Sequence, residues 1–78
     1  MTADVSNQID GWYVLLEATS PTPSMQLWFV AISDQTSAEA KAVGAPGALV
    51  DATVTSSKAN HLVLAHYKIQ AGGAQQYF

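Results

Sequence analysis

The chain has no cysteine and no arginine, and its charged residues make up 12% of the total, about half the roughly 25% usual for a soluble domain. Without cysteine there is no disulfide and no Cys-based zinc staple, so 78 residues must hold together by packing alone. That packing is thin, because a domain of this size buries only about 60% of the surface its extended chain exposes. A protein partner or self-association is therefore an expected source of further stability. The cations are Lys41, Lys58 and Lys68; six acidic residues outweigh them, giving a net charge of -3 and a pI near 4.9. Phosphate binding needs several cations on one surface, so no nucleic acid partner is expected, and the same balance disfavours an anionic membrane. Long apolar runs are also missing: none approaches the roughly 18 residues of a membrane span. Met1 to Gln8 carry neither a basic nor an apolar leader region, and the expected location is cytoplasmic.

What is present is 49% hydrophobic sequence arranged in short periodic stretches of one domain. Residues 1 to 11 are polar, end in the turn dipeptide Asp10-Gly11, and read as a flexible arm ahead of a domain over 12 to 78. Trp12, Val14, Leu16 and Ala18 alternate onto one face of a first strand. Two prolines in Ser20-Pro21-Thr22-Pro23-Ser24 remove backbone donors and mark a hairpin connection. Met25 to Ile32 is apolar on both faces, as expected for a central strand covered on two sides. Thr36 and Glu39 have capping-box spacing and Gly44 stands at a stop position, which predicts a short helix between them. Ala48 to Thr55 alternates Val50, Ala52 and Val54 against Asp51, Thr53 and Thr55, predicting a third strand with one polar face, at an edge. Residues 57 to 70 fit a helix and a strand equally by periodicity. Ser56 and Ser57 look like an N-terminal signal and favour a helix over about 57 to 66. Gly72-Gly73 then interrupts regular structure. The fold class this predicts is α+β, in the order β-β-α-β-α, with two short helices on one face of a small, mainly antiparallel sheet.

Catalytic chemistry finds little support in the pattern. His61 and His66, five residues apart, diverge by roughly 140° on a helix and face opposite ways on a strand, so they do not form a metal pair. There is no G-x-S-x-G elbow, and Gly44-Ala45-Pro46-Gly47 lacks the Lys-Ser/Thr of a phosphate loop. The carboxylates Asp10, Glu17, Asp34, Glu39 and Asp51 each have a local role at a turn, a helix start or a polar strand face. No catalytic residue, metal or cofactor is expected. The aromatics carry most of the large apolar surface. Trp28 and Phe29 point to opposite faces of one strand, and two short helices do not cover everything on a two-sided sheet. Trp28, Phe29, Tyr77 and Phe78 are thus candidates for contact with a protein partner or a second copy. His66 and Tyr67 are candidates for the pocket of a small-molecule-binding domain or minor enzyme, the alternative reading.

At Trp28-Phe29-Val30-Ala31-Ile32, with Asp34 two residues on and Ala38 to Val43 beyond, the chain resembles a group of short uncharacterised bacterial proteins. In that group an aromatic-Val-Ala strand precedes a capped Ala-Val helix, a strand, and a short helix ending near a glycine. The resemblance spans about residues 12 to 72 and puts Ile69-Gln70-Ala71-Gly72 at the last of these positions. The chain departs from the pattern where a Pro-Gly-Glu is expected and Ala71-Gly72-Gly73 stands. The resemblance implies a topology and brings no activity with it.

Overall fold

The computed structural model describes residues 10–19 and 22–78. The elements are β1 (Gly11–Ala18), β2 (Ser24–Val30), α1 (Gln35–Val43), β3 (Thr53–Ala59), α2 (His61–His66) and β4 (Ala74–Gln76). The strands form one antiparallel sheet in the order β3-β1-β2-β4, so the fold is α+β and the expected β-β-α-β-α order is followed by one more short strand. The expected arm over residues 1 to 11 lies outside the described residues except for Asp10 and Gly11. Of the expected connection, Ser20 and Pro21 lie outside them too.

Register sorts the side chains. Trp12 pairs with Val30, Val14 with Trp28 and Leu16 with Gln26, so even-numbered residues share one face of the sheet; Tyr13 with Phe29 and Leu15 with Leu27 share the other. On the even face Val14, Leu16, Trp28 and Val30 pack with Ala38 and Ala42 of α1. Two alanines on its inner side let this helix approach the strands closely. On the odd face Phe29, Ala31 and Ala59 pack with Leu64 of α2. The helices thus lie on opposite faces, which corrects the expectation that both would lie on one. Separation follows from β2 being apolar on both sides: each face needs its own cover, and one short helix is available for each.

The ends of the helices differ from the capping-box reading. Asp34 is the N-cap of α1, its Oδ2 accepting the Ser37 N–H at 2.8 Å. Glu39 instead accepts the Ser56 hydroxyl across the gap to β3, and Gln35 donates to the same Ser56 at 2.7 Å. Gly44 is the C-cap, as expected. The third strand starts five residues later than the alternation over 48 to 55 predicts. Gly47 at φ 86° and Asp51 at φ 56° turn the backbone there, and Gln26 ties the loop down by donating to Gly47 at 2.9 Å and accepting from Leu49 at 2.9 Å. Ser56 and Ser57 lie within β3, so the helix expected over 57 to 66 begins only at His61. Asn60 caps it, with Oδ1 accepting the Leu62 N–H at 2.6 Å. Asp10 assists by accepting the His61 N–H at 3.0 Å, which joins the start of β1 to the start of α2.

One close approach fixes this corner. A Cβ on Gly11 would stand 2.0 Å from the Val30 carbonyl oxygen and 2.8 Å from Leu64 Cδ1, so only glycine lets β1, β2 and α2 meet here.

Candidate functional site

The two faces of the sheet are covered unequally. α1 and the loop after it, through Ala45, Ala48, Leu49 and Ala52, cover the even face along the strands. On the odd face α2 has only six residues and lies over the end where Gly11, Phe29, Ala31 and Ala59 meet. Further along that face, register puts Thr55, Leu15 and Leu27 in one row, with Glu17 opposite Met25 in the next. Tyr77 extends the Leu27 row, because its N–H donates to the Leu27 carbonyl at 2.7 Å. Leu15 and Leu27 are half-buried there, Leu27 packing against the Phe29–Leu64 cluster, while Met25 and Tyr77 are exposed.

Aromatic rings gather where the covered and open parts of the face meet. Tyr13 meets Phe29 edge-on with centroids 5.2 Å apart, Tyr67 tilts against Phe29 at 5.0 Å, and Tyr77 stacks on it at 5.1 Å. Phe29 is thus the buried hub of three tyrosines, and pairs of this geometry contribute about 0.5–1.5 kcal/mol each beyond burial. Leu27 and the Leu62–Val63 turn of α2 complete the walls of a concave groove of about 510 Å³. Its wall is apolar and open, with Leu62 66% exposed, and Met25, 51% exposed, lies on the same face beyond it.

The polar groups of the groove are phenols and one imidazole. The neighbouring Tyr77 hydroxyl holds the Tyr67 phenol above its ordinary value of 10.0, through hydrogen bonding first and charge repulsion second, with burial and Tyr13 adding in the same direction. Tyr67 therefore stays neutral across the physiological range. His66 meets the Tyr67 ring edge-on, centroids 4.9 Å apart. Glu17 at the far margin is the one carboxylate on the strand positions of this face, and no lysine shares those positions. His61 lies away from the groove against Asp10, its Nδ1 3.3 Å from Oδ1. That contact and the His61 backbone N–H, the larger effect, hold the Asp10 carboxyl below its usual 3.8.

Of the interaction candidates, Phe29 and Tyr77 come together here. Phe78 continues from Tyr77, its carbonyl accepting the Leu27 N–H at 3.2 Å and its side chain 53% exposed. Trp28 does not join them. It lies on the even face at 5% exposure, with Nε1 donating to Gln26 at 3.1 Å, so it is core. Both ligand candidates, His66 and Tyr67, line the groove. Sequence reading passed over Tyr13, Leu15, Leu27 and Met25. The signal that finds them is parity: once Val14 and Leu16 are assigned inward, the odd positions of β1 and the positions of β2 paired with them form a second apolar surface.

The chain matches no family model, no curated protein and no solved structure. No helix among the described residues is long and apolar enough to cross a membrane.

Proposed function

We propose that the chain is a small non-catalytic protein-interaction module whose docking surface is the open odd face of the sheet. The observation that carries this reading is the row of half-buried Leu15 and Leu27 and exposed Tyr77, beside the Tyr13–Phe29–Tyr67 cluster, in a chain that has little core to spare. Its occupant is an uncharged apolar or aromatic segment of another protein. With only Glu17 at its margin, the face offers burial and phenol hydrogen bonds as its means of recognition, and tyrosines suit such a surface because one end is apolar and the other wet. Self-association and a cytoplasmic location belong to the same reading. The absence of a nucleic-acid partner does too, supported by the three lysines lying on separate elements: Lys41 on α1, Lys58 on β3 and Lys68 after α2.

A second reading rests on the size of the groove. About 510 Å³ lies within the range of small-molecule sites, and His66 and Tyr67 supply polar groups at its wall. Native mass spectrometry of the full chain isolated from its own cells separates the two. The interaction reading expects a retained polypeptide that is lost in Leu27→Glu. A small retained mass that is lost in Tyr67→Phe or His66→Ala carries the ligand reading instead and overturns the first.

A further inference from the structure

We infer that the outer edge of β3 pairs antiparallel with β3 of a second copy about a two-fold axis at Ser56. This deepens the self-association in the reading above and rests on a different observation, the direction of backbone groups. Leu27 on β2 and Ala31 just after it direct both N–H and C=O toward β4 and the residues beside it. Their even-numbered neighbours therefore face β1, and the β1 residues paired with those, Trp12, Val14 and Leu16, face β2. The odd residues of β1 then bond Thr53, Thr55, Ser57 and Ala59. Val54, Ser56 and Lys58 are left directing their N–H and C=O groups out of the sheet, on a strand that is its edge.

Among the described residues this edge has little protection. β3 runs seven residues without proline and with Lys58 as its single charge. Lys58 does not guard the edge, since its ammonium lies 5.8 Å from the centroid of the Trp12 ring, over the even face. Pairing Ser56 with Ser56, and Val54 with Lys58, is the one register that uses the free groups of all three residues on both copies. It also separates the two lysines, and it sets Lys58 of one copy one step along the even face from the Ser56 that donates to Glu39 of the other. A two-fold axis normal to the sheet keeps both aromatic grooves on one side, so the dimer presents a continuous surface with two docking sites.

The lack of native cysteine makes the test direct. Sedimentation equilibrium of the full chain is expected to show twice the 8.2 kDa mass. Ser56→Pro removes an outward N–H without breaking the β1 ladder, so the dimer is expected to be lost while the far-ultraviolet spectrum is kept. In this register Ser56→Cys faces itself at a Cα separation of about 5.5 Å, and mild oxidation is expected to cross-link it. Thr53→Cys faces Ala59, about 20 Å along the strand from its own counterpart, and stays uncoupled. A wild-type monomer up to about millimolar concentration overturns the inference. So does a dimer that survives Ser56→Pro, or equal cross-linking of both cysteine variants. Ser56→Pro leaves the groove intact, so a wild-type monomer that still holds its partner counts against the edge alone, and a wild-type dimer with no partner counts against the face alone.

Discussion

Tyr77 stacks on Phe29 with ring planes 27° apart and centroids 5.1 Å apart, which fastens the segment after β4 to the C-terminal end of β2. The partners are unequal, since Phe29 is 4% exposed and Tyr77 53%. Truncating them separates core from surface. Phe29→Ala is expected to cost about 3–5 kcal/mol in urea unfolding, enough to unfold much of a chain this small. Tyr77→Ala is expected to cost about 1 kcal/mol, the scale of a ring pair, while abolishing partner binding. A Tyr77→Ala variant that binds its partner at wild-type strength removes Tyr77 from the docking surface.

The Tyr67–Tyr77 contact has a spectroscopic signature. Because Tyr77 is the leading cause of the raised Tyr67 titration, Tyr77→Phe is expected to bring Tyr67 down toward 10.0 in an ultraviolet phenolate titration. A raised folded-state value stabilises the fold below the unfolded phenol's pKa, and the contribution is lost as pH climbs through the folded value. Wild type and variant should therefore converge in stability at high alkaline pH. An unchanged titration curve would show that the two hydroxyls do not interact.

At the acid end the sign reverses. Asp10 is held below 3.8 mainly by the His61 backbone N–H, and Asp34 by the Ser37 backbone N–H. Each contribution is present above the unfolded carboxyl's pKa near about 3.9 and disappears as pH falls through the lower folded value. Asp10→Asn and Asp34→Asn should each flatten the acid limb of a stability-pH profile, and their differences from wild type should vanish at the lowest pH. Differences that persist below both values would mean the carboxyls act through packing.

Two glycine substitutions should differ for a steric reason. Gly11→Ala brings a methyl to 2.0 Å from the Val30 carbonyl oxygen, so strands must separate, and a loss of about 3 kcal/mol or failure to fold is expected. Gly47→Ala meets open space and carries only the strain of φ 86°, about 1–2 kcal/mol. Thermal melts of the two variants check the order, and equal losses would contradict the close approach at Gly11.

Much of the sheet was legible because strand parity is local. Trp12, Val14 and Leu16 announce one face of β1, and the continuous apolar run of β2 announces a strand covered on both sides. Other features depend on partners distant in sequence. Ser56 and Ser57 carry a helix-start signal, yet Ser56 bonds to Gln35 and Glu39 on α1, and Asn60 caps the helix instead. The alternation through Val50 and Ala52 matches a strand, but Asp51 takes a positive φ that aspartate tolerates, and Gln26 holds the loop from another element. The three residues Ala74-Gln75-Gln76, two polar and one apolar, become a strand solely by pairing with β2. Within the site, the opposite facing of Trp28 and Phe29 could be read directly. Which of them is buried as core on the even face and which forms the hub of the groove depends on where α1 and α2 pack.

The account's central claim is that a protein docks on the odd face, and the most direct measurement places a photo-crosslinking amino acid at Met25 in the living cell. Met25 is exposed on that face beyond the groove, and Val50, 79% exposed in the loop that packs beneath the even face, is the control. The account predicts a discrete polypeptide adduct from Met25 that disappears in Leu27→Glu and is absent from Val50. No adduct at Met25, or the same adducts from both positions regardless of Leu27, would contradict it.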